Sequence, residues 1–418
     1  MEVYKFGGAS VKDAAAIKNV AAILKQQGTE NKVVVISAMG KTTNELEGVV
    51  NAFVAGNSVW KEKLEAIRMK HQAIMKELFP SQADIEMVVN APISKANDFL
   101  TNTSSTHYQF IYDQVVSAGE FLSTAIVSAY CNATGLHNHL LDARKVIATD
   151  HAYTEARINW ERTPDAVERV IPELLKTGFV ITQGFIGSSE EGFTTTLGRE
   201  GSDYTAAILS FSLNASRMTV WKDVEGIMNA DPKAFPKAVF LSEISYHEAI
   251  EMTYYGANVI HPKTIKPLQN KNIPLEVRSF VHPEKKGSVI SAESNNGPLP
   301  PVIIVKNEQM LLSFSVRDFS FIAEEHLSTI FAVFSENNLR VNLMQNAAIS
   351  YSVVVDFKHE KIERIRTILS KDFGISSNDQ LTLLTIRHYT PEIVAELTAG
   401  KDILLRQSSR NTIQILMK

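Results

Sequence analysis

The sequence predicts an α/β fold with a mainly parallel central sheet, followed by smaller α+β units of ferredoxin-like rhythm. Three observations carry this. KVVVISA (32–38) is a continuous apolar run, the signature of a parallel strand covered on both faces. Strand-like runs then alternate with long helical stretches. After SAESNNGPLPP (291–301), where Ser, Asn, Gly and Pro cluster as at a boundary, shorter elements follow in the order β-α-β-β-α-β. At 418 residues the chain is too long for one ordinary core, so two or three domains are expected.

The first strand is read at EVYKF, where Val3, Tyr4 and Phe6 favour extended backbone. Gly7 and Gly8 end it. DAAAIKNVAAILKQQG then sets Ile17, Val20, Ala21 and Leu24 on one helical face, with Ser10 or Asp13 as the cap and Gly28 as the stop. The glycine pair therefore lies at a strand-to-helix turn. There the backbone bends freely, a ligand approaches closely, and the N–H groups of a helix start favour an anion. Lys5 adds a full positive charge. Taken alone, KFGGAS fits both a phosphate-binding loop and a tight turn beside a solvated lysine.

KVVVISA ends in a second glycine turn, MGKTTNELE, and from about Asn44 to Ala129 the chain is helical in character. Within that region SAGEFLSTAIVSAY (117–130) repeats its apolar residues at helical spacing. HLLDA (139–143), GFVITQGFIG (178–187), FTTTLG (193–198) and RMTVWKDV (217–224) read as strands. The glycine turns at 7–8, 40, 184–187 and 198–201 fall at the carboxyl ends of strands, where sheets of this class bind ligands. LGREGSDYTAAILSFSL opens a helix at Asp203, with Ser202 as N-cap and an acid in the first turn. That reading leaves Arg199 and its flanking glycines without a structural reason. WKDVEGIMNADPKAFP (221–236) is a strand followed by acidic and glycine turns, and GANVIHPKTIKPL (256–268) leads through His261-Pro262 into another helix.

Beyond the boundary, MLLSFSV, LRVNLMQN, YSVVVDF and LTLLTIRHY read as strands, and EEHLSTIFAVFSENN and KIERIRTILSKD as helices. PEIVAELTAG, DILLRQS and TIQILMK begin a second unit of the same kind, to which VIIVKN supplies a strand. We expect one domain over 1–293 and a tandem regulatory region over 299–418. Its first unit (about 308–388) is inserted in a second, truncated one made of about 301–307 and 389–418.

The gross numbers exclude several classes. A net charge of −4 and the absence of a basic stripe argue against nucleic-acid binding. No apolar run reaches membrane-spanning length, and MEVYKFGG is no signal peptide, so a cytoplasmic protein is expected. The single Cys131 rules out an intramolecular disulfide and a Cys-rich zinc site. His137 and His139 in HNHLL read as solvated or core side chains rather than metal ligands.

KFGGAS, VISAMGKTTN, SAGE, LGREGSDYTAA, WKDVEGIMNADP and GANVIHP occur in the order found in aspartate kinases, and the whole chain resembles that family. The resemblance implies the amino-acid-kinase fold with C-terminal tandem ACT domains. The implied reaction moves the γ-phosphoryl group of ATP to the side-chain carboxylate of L-aspartate, giving 4-phospho-L-aspartate. That is the first step toward lysine, threonine and methionine. A carboxylate is already ionised at neutral pH, so the chemical problem is repulsion between two anions. Positioning and positive charge should dominate, with Mg2+ carried on the ATP phosphates and no direct protein ligand.

By resemblance, Lys5 bridges the carboxylate and the transferring phosphoryl group, and Asp203 orients Lys5 or the substrate. Ser37, Thr43, Glu120, Arg199 and Ser202 line the aspartate site. Arg199 suits a carboxylate through its planar fork, and Glu120 suits the ammonium. Gly7, Gly8 and Ser10 form the phosphate loop, and Trp221, Lys222, Asp223, Gly226, Met228, Asp231 and Asn258 fall in the nucleotide stretch. Asp231 before Pro232 is equally a turn former.

Three departures stand out. Ala9 replaces the common Thr. Lys222 opens Lys-Asp-Val where the family often reads Thr-Asp-Val, with Met228 for a tyrosine downstream. Asn258 replaces a lysine. We link the last two: Lys222 supplies the charge that Asn258 lacks, or it is a solvated strand-end lysine. In the regulatory region RDFSFIAEEHL is long and acidic, and Asn342 replaces the aspartate expected to meet an effector ammonium, which puts feedback by lysine in doubt. A homodimer through the ACT units and an amino-acid effector are the expected partners. Without a homoserine dehydrogenase-like extension, a monofunctional enzyme is expected. The alternatives are a kinase for another amino acid and a non-catalytic ACT sensor.

Overall fold

The strand Lys32–Ile36 is buried at every residue, as a strand inside a parallel sheet covered on both faces must be. The computed structural model describes residues 1–80, 86–257, 260–292, 299–317 and 320–418. The chain divides into two units. The first comprises Met1–Ile227, Leu241–Ile250 and Val259–Asn295, and the second Met228–Phe240, Glu251–Asn258 and Asn296–Lys418.

In chain order the elements up to the boundary are β1 (Glu2–Phe6), α1 (Ala14–Gln27), β2 (Lys32–Ile36), α2 (Thr42–Val54), α3 (Trp60–Leu78), α4 (Glu86–Asn102), α5 (Tyr108–Ala133) and β3 (Asn138–Leu141). Then come α6 (Arg162–Leu174), β4 (Phe179–Gln183), β5 (Ile186–Ser188), β6 (Thr194–Thr196), α7 (Gly201–Ser212) and β7 (Arg217–Lys222). The short β8 (Ile227–Met228), β9 (Phe240–Leu241) and β10 (Glu243–Ser245), then α8 (Tyr246–Tyr255), α9 (Pro262–Asn270), β11 (Leu275–Ser279) and β12 (Ser288–Ser291) complete this part. The main sheet has the order β10-β12-β11-β7-β1-β2-β4-β3, and only the β11–β12 pair is antiparallel. This is the mainly parallel sheet the sequence predicts.

Two local readings change. GFVITQGFIG is not one strand: Phe185 turns left-handed (φ 69°) and divides it into β4 and β5. FTTTLG contributes only β6, which pairs with β5 in a separate two-stranded ribbon. At the other end, α1 does not follow the glycine pair directly. A 3₁₀ turn over Gly8–Val11 intervenes, and Asp13, not Ser10, caps α1 by accepting the N–H of Ala16 at 2.8 Å.

The second unit is built on two fifteen-residue strands, β13 (Val302–Val316) and β16 (Phe373–Arg387), which pair antiparallel along their length. Between them come α10 (Glu324–Glu336), β14 (Val341–Asn346), β15 (Tyr351–Asp356) and α11 (His359–Leu369), and after them α12 (Pro391–Thr398), β17 (Ile403–Ser408) and β18 (Thr412–Met417). The sheet order is β14-β15-β13-β16-β18-β17. The first halves and second halves of β13 and β16 thus serve different βαβ-type units. The joint is marked by register breaks around Gln309 and by left-handed Glu308 (φ 52°) and Gln380 (φ 54°) on the facing strands. VIIVKN is continuous with MLLSFSV rather than separate from it. Alternate residues feed two cores: Val353 and Val355 pack with Phe314, Phe334 and Phe373, while Val354 joins Leu343, Leu383 and Leu416.

Candidate active site

β1, β2 and β4 lie side by side, and each ends in a glycine turn at the same edge of the sheet. The ends are stitched together: Ser37 N–H donates to Phe6 O at 3.1 Å and Gly184 N–H to Ile36 O at 3.1 Å. The first two loops also bond to each other, Gly40 N–H to Gly8 O at 3.0 Å. A Cβ on Gly8 would lie 2.7 Å from Ala38 O and 2.9 Å from Gly40 O, so no side chain fits where these loops meet. Ser10 is buried, and its hydroxyl donates to Trp221 O at 3.4 Å, tying the first loop to β7.

A cavity of about 550 Å³ opens above these loops. Lys5, Gly8, Ser37, Thr43, Glu120, Arg199, Ser202 and Asp203 all line it, although they come from β1, α2, α5, α7 and the connecting loops. Gly7 adjoins Lys5 Nζ, which would lie 3.3 Å from a Cβ at that position. The Lys5 ammonium stands 2.6 Å from Asp203 Oδ1, with side-chain exposures of 11% and 5%. A cation and an anion this enclosed are viable only together.

Glu120 sits on the inner face of α5, buried, about two turns beyond the buried Asp113. Its carboxyl is pushed up to about 8 by burial, against the opposing pull of the Ala38 N–H and the Lys5 charge. Its Oε2 has no hydrogen-bond partner among the described residues. Such an atom is positioned for a donor that arrives with a ligand. Arg199, by contrast, is exposed at the cavity wall.

The expected cap of α7 is corrected. The helix begins at Gly201, and Glu200, in a left-handed conformation (φ 54°), is its N-cap residue. Ser202 lies inside the first turn. The reason is the turn before it, closed by Gly201 N–H to Gly198 O at 3.0 Å, while the Glu200 carboxylate is held by the His261 N–H at 3.1 Å.

None of the described nucleotide-stretch residues lines this cavity. Trp221 is 1% exposed, with its ring stacked on Phe6 at 5.8 Å and edge-on to Tyr4. Its ring is core, and its main chain is paired between β1 and β11. Lys222, Asp223 and Gly226 follow in the first unit, whereas Met228 and Asp231 belong to the second. Asn258 lies outside the described residues. Conversely, Tyr112, Thr154, Glu155, Phe185 and Glu200 line the cavity without having been singled out from sequence. Glycines on either side pointed toward Phe185 and Glu200; Thr154 and Glu155 carried no motif.

Residues 1–279 match the amino acid kinase family model. The lysine-sensitive aspartokinase 3 of Escherichia coli is 33% identical over 359 residues, which span 85% of this chain and 78% of that protein. Aspartokinase 1, chloroplastic, of Arabidopsis thaliana is 32% identical over 371 residues, 85% of this chain and 63% of that one. Among solved structures, E. coli aspartokinase III in complex with lysine and aspartate superposes with a TM-score of 0.83 at 28% identity, covering 100% of this chain and 95% of the other. Its complex with aspartate and ADP gives 0.82 at 28%, covering 100% and 96%.

Proposed function

The chain belongs to the amino acid kinase family, and we propose that it is an aspartate kinase, moving the γ-phosphoryl group of ATP to the side-chain carboxylate of L-aspartate. This is the first step of the aspartate-family route to lysine, threonine and methionine. The carrying observation is one cavity that gathers a buried ammonium, a guanidinium and a buried, half-satisfied carboxyl. Together they match an α-amino acid with a second carboxylate.

In the proposed arrangement Arg199 takes the α-carboxylate and Glu120 the ammonium, with Ser37, Thr43 and Ser202 as hydroxyl donors. The side-chain carboxylate then points toward Lys5. One of its oxygens attacks the γ-phosphorus while the bond to the β,γ-bridging oxygen breaks, and ADP leaves with that electron pair. Lys5 lies between the two anions and lowers their repulsion, and Asp203 fixes its direction. The N–H groups of Gly7 and Gly8 face the phosphates, and Ser10 holds their loop. Mg2+ is proposed to ride on the ATP phosphates and to supply further positive charge. Asp203 is already committed to Lys5, which makes the phosphates the natural oxygen donors.

Trp221, Lys222, Asp223, Gly226, Met228, Asp231 and Asn258 remain the proposed nucleotide stretch. If Lys222 supplies the charge that Asn258 lacks, Lys222→Met raises the KM for ATP on the order of tenfold and leaves that for aspartate unchanged. Steady-state kinetics with each substrate varied in turn checks this, and an unchanged KM for ATP rejects the compensation.

We also propose a cytoplasmic homodimer formed through the second unit. Among the described residues no helix is long and apolar enough to cross a membrane. The sheet of that unit ends in edge strands β14 and β17, which need covering, and Met344 on β14 is 52% exposed. An amino-acid effector is proposed without a commitment to lysine. Asn342 Oδ1 already accepts the Lys306 ammonium at 2.9 Å, and its amide donates to Gln309 and Asp356 at 2.8 Å each.

The test is hydroxamate formation from ATP, Mg2+, L-aspartate and hydroxylamine, with L-glutamate as the comparison. Aspartohydroxamate is the expected product. A folded protein that binds ATP yet makes none from aspartate would move the reading to another amino-acid substrate.

A further inference from the structure

Three residues lining the cavity, Thr154 (φ 71°), Phe185 (φ 69°) and Glu200 (φ 54°), hold left-handed backbone without being glycine. Among the other described residues, four of the seven such positions are Asn, which tolerates them. For a β-branched Thr the conformation is strained, and strain of this kind persists only where its surroundings over-determine it.

What over-determines Thr154 is Asp113. This residue lies on α5 and is fully buried. Its carboxylate accepts the Thr154 N–H at 3.0 Å (Oδ2) and 3.2 Å (Oδ1), the Thr196 N–H at 2.8 Å and the Thr196 hydroxyl at 2.7 Å. No cation forms an ion pair with it among the described residues, so these bonds alone compensate a buried anion. Burial still pushes its carboxyl up to about 6. The loop it holds then leans on the turn that carries Arg199: where a Cβ of Gly198 would stand, Glu155 Cγ and Thr154 O are each 3.3 Å away.

We propose that Asp113 is a positioning residue for the substrate pocket, holding Thr154 left-handed so that the Thr154–Glu155 wall fixes the Gly198–Arg199 turn. This rests on the reading of the cavity as the aspartate site. Asp113 touches no substrate. It acts by keeping the Arg199 guanidinium where the α-carboxylate arrives.

The experiment is Asp113→Ala in the full chain, assayed as aspartohydroxamate. Alanine removes the acceptor that both N–H groups share, and Thr154 relaxes. The KM for L-aspartate is expected to rise on the order of tenfold or more, with kcat and the KM for ATP changed by less than about threefold. Adding Thr154→Gly, which adopts the left-handed region freely, should bring the KM for aspartate back to within about threefold of wild type. An unchanged KM in Asp113→Ala, a uniform loss of kcat, or a folded double variant that is not rescued overturns the proposal. If the single variant does not accumulate, the double variant carries the test, and failure of both to fold makes Asp113 a folding residue only. Wild-type turnover separates this from the reaction itself: a wild type inactive on aspartate overturns the assigned reaction, whereas an active wild type beside an unaltered variant overturns only the role of Asp113.

Discussion

Lys5→Met lowers kcat on the order of 10³-fold, the scale on which a cation or donor aimed at developing charge acts. In the proposed reaction two anions must approach within bonding distance, and Lys5 is the buried ammonium of the cavity assigned to them. The variant also leaves Asp203 enclosed without its partner at 2.6 Å, and breaking such a buried pair costs about 3–5 kcal/mol. Activity alone would therefore not distinguish lost chemistry from lost structure.

The pair of variants does. Asp203→Asn added to Lys5→Met removes the stranded charge, so the double variant should melt well above the single one. If Lys5 acts on the phosphoryl group, the double variant stays as inactive as the single one. If Lys5 only balances Asp203, activity returns together with stability, and the catalytic assignment falls. Thermal melts and the hydroxamate assay on the four proteins of this cycle give the answer.

Much of this arrangement was legible in the sequence, for identifiable reasons. KVVVI is apolar throughout because a central parallel strand is covered on both faces, and β2 is buried at all five positions. Glycines at 7–8, 40 and 184 marked the strand ends because the loops there approach within contact of one another. Motif residues from four separate segments therefore met in one cavity. What failed to show were features set by tertiary partners. Glu200 is a poor left-handed residue and a poor cap by propensity, yet the His261 N–H holds its carboxylate there, and Ser202, the better cap by type, is displaced into the helix. Thr154 carries no local signal, since Asp113 reaches it from 41 residues away in sequence, and Glu155 simply follows it. The first half of β16, FGISSN, is rich in turn formers and reads as loop until its pairing with β13 is known. Trp221 was drawn to the nucleotide by its neighbours in the motif, while its ring belongs to the core between Tyr4 and Phe6.

Glu120→Gln separates the proposed ammonium site from the reaction. With its carboxyl pushed up to about 8, Glu120 mostly carries its proton at pH 7 in the unliganded protein. An ammonium arriving at the unpartnered Oε2 supplies the missing counter-charge and favours the carboxylate, so the proton leaves as aspartate binds. Calorimetry at pH 7 in buffers of different ionisation enthalpy should count close to one proton released, and none well above pH 8. The sign for stability follows from the same shift. Between the ordinary value of 4.5 and about 8 the folded chain holds a proton that the unfolded chain has lost. Raising the pH through that window therefore destabilises the fold, and the stability is lost by the time the pH passes about 8. Glutamine has no proton to lose, so the variant should melt above wild type at pH 9 and show a flatter dependence through the window. Its cost appears in binding. A hydrogen bond to a charged group is worth about 1.5–3 kcal/mol, which is roughly ten- to a hundredfold in the KM for aspartate, with the KM for ATP unmoved. A Glu120→Gln enzyme with wild-type KM for aspartate and unaltered proton release would remove the ammonium from this carboxylate, and with it the strongest argument in the cavity for an α-amino acid.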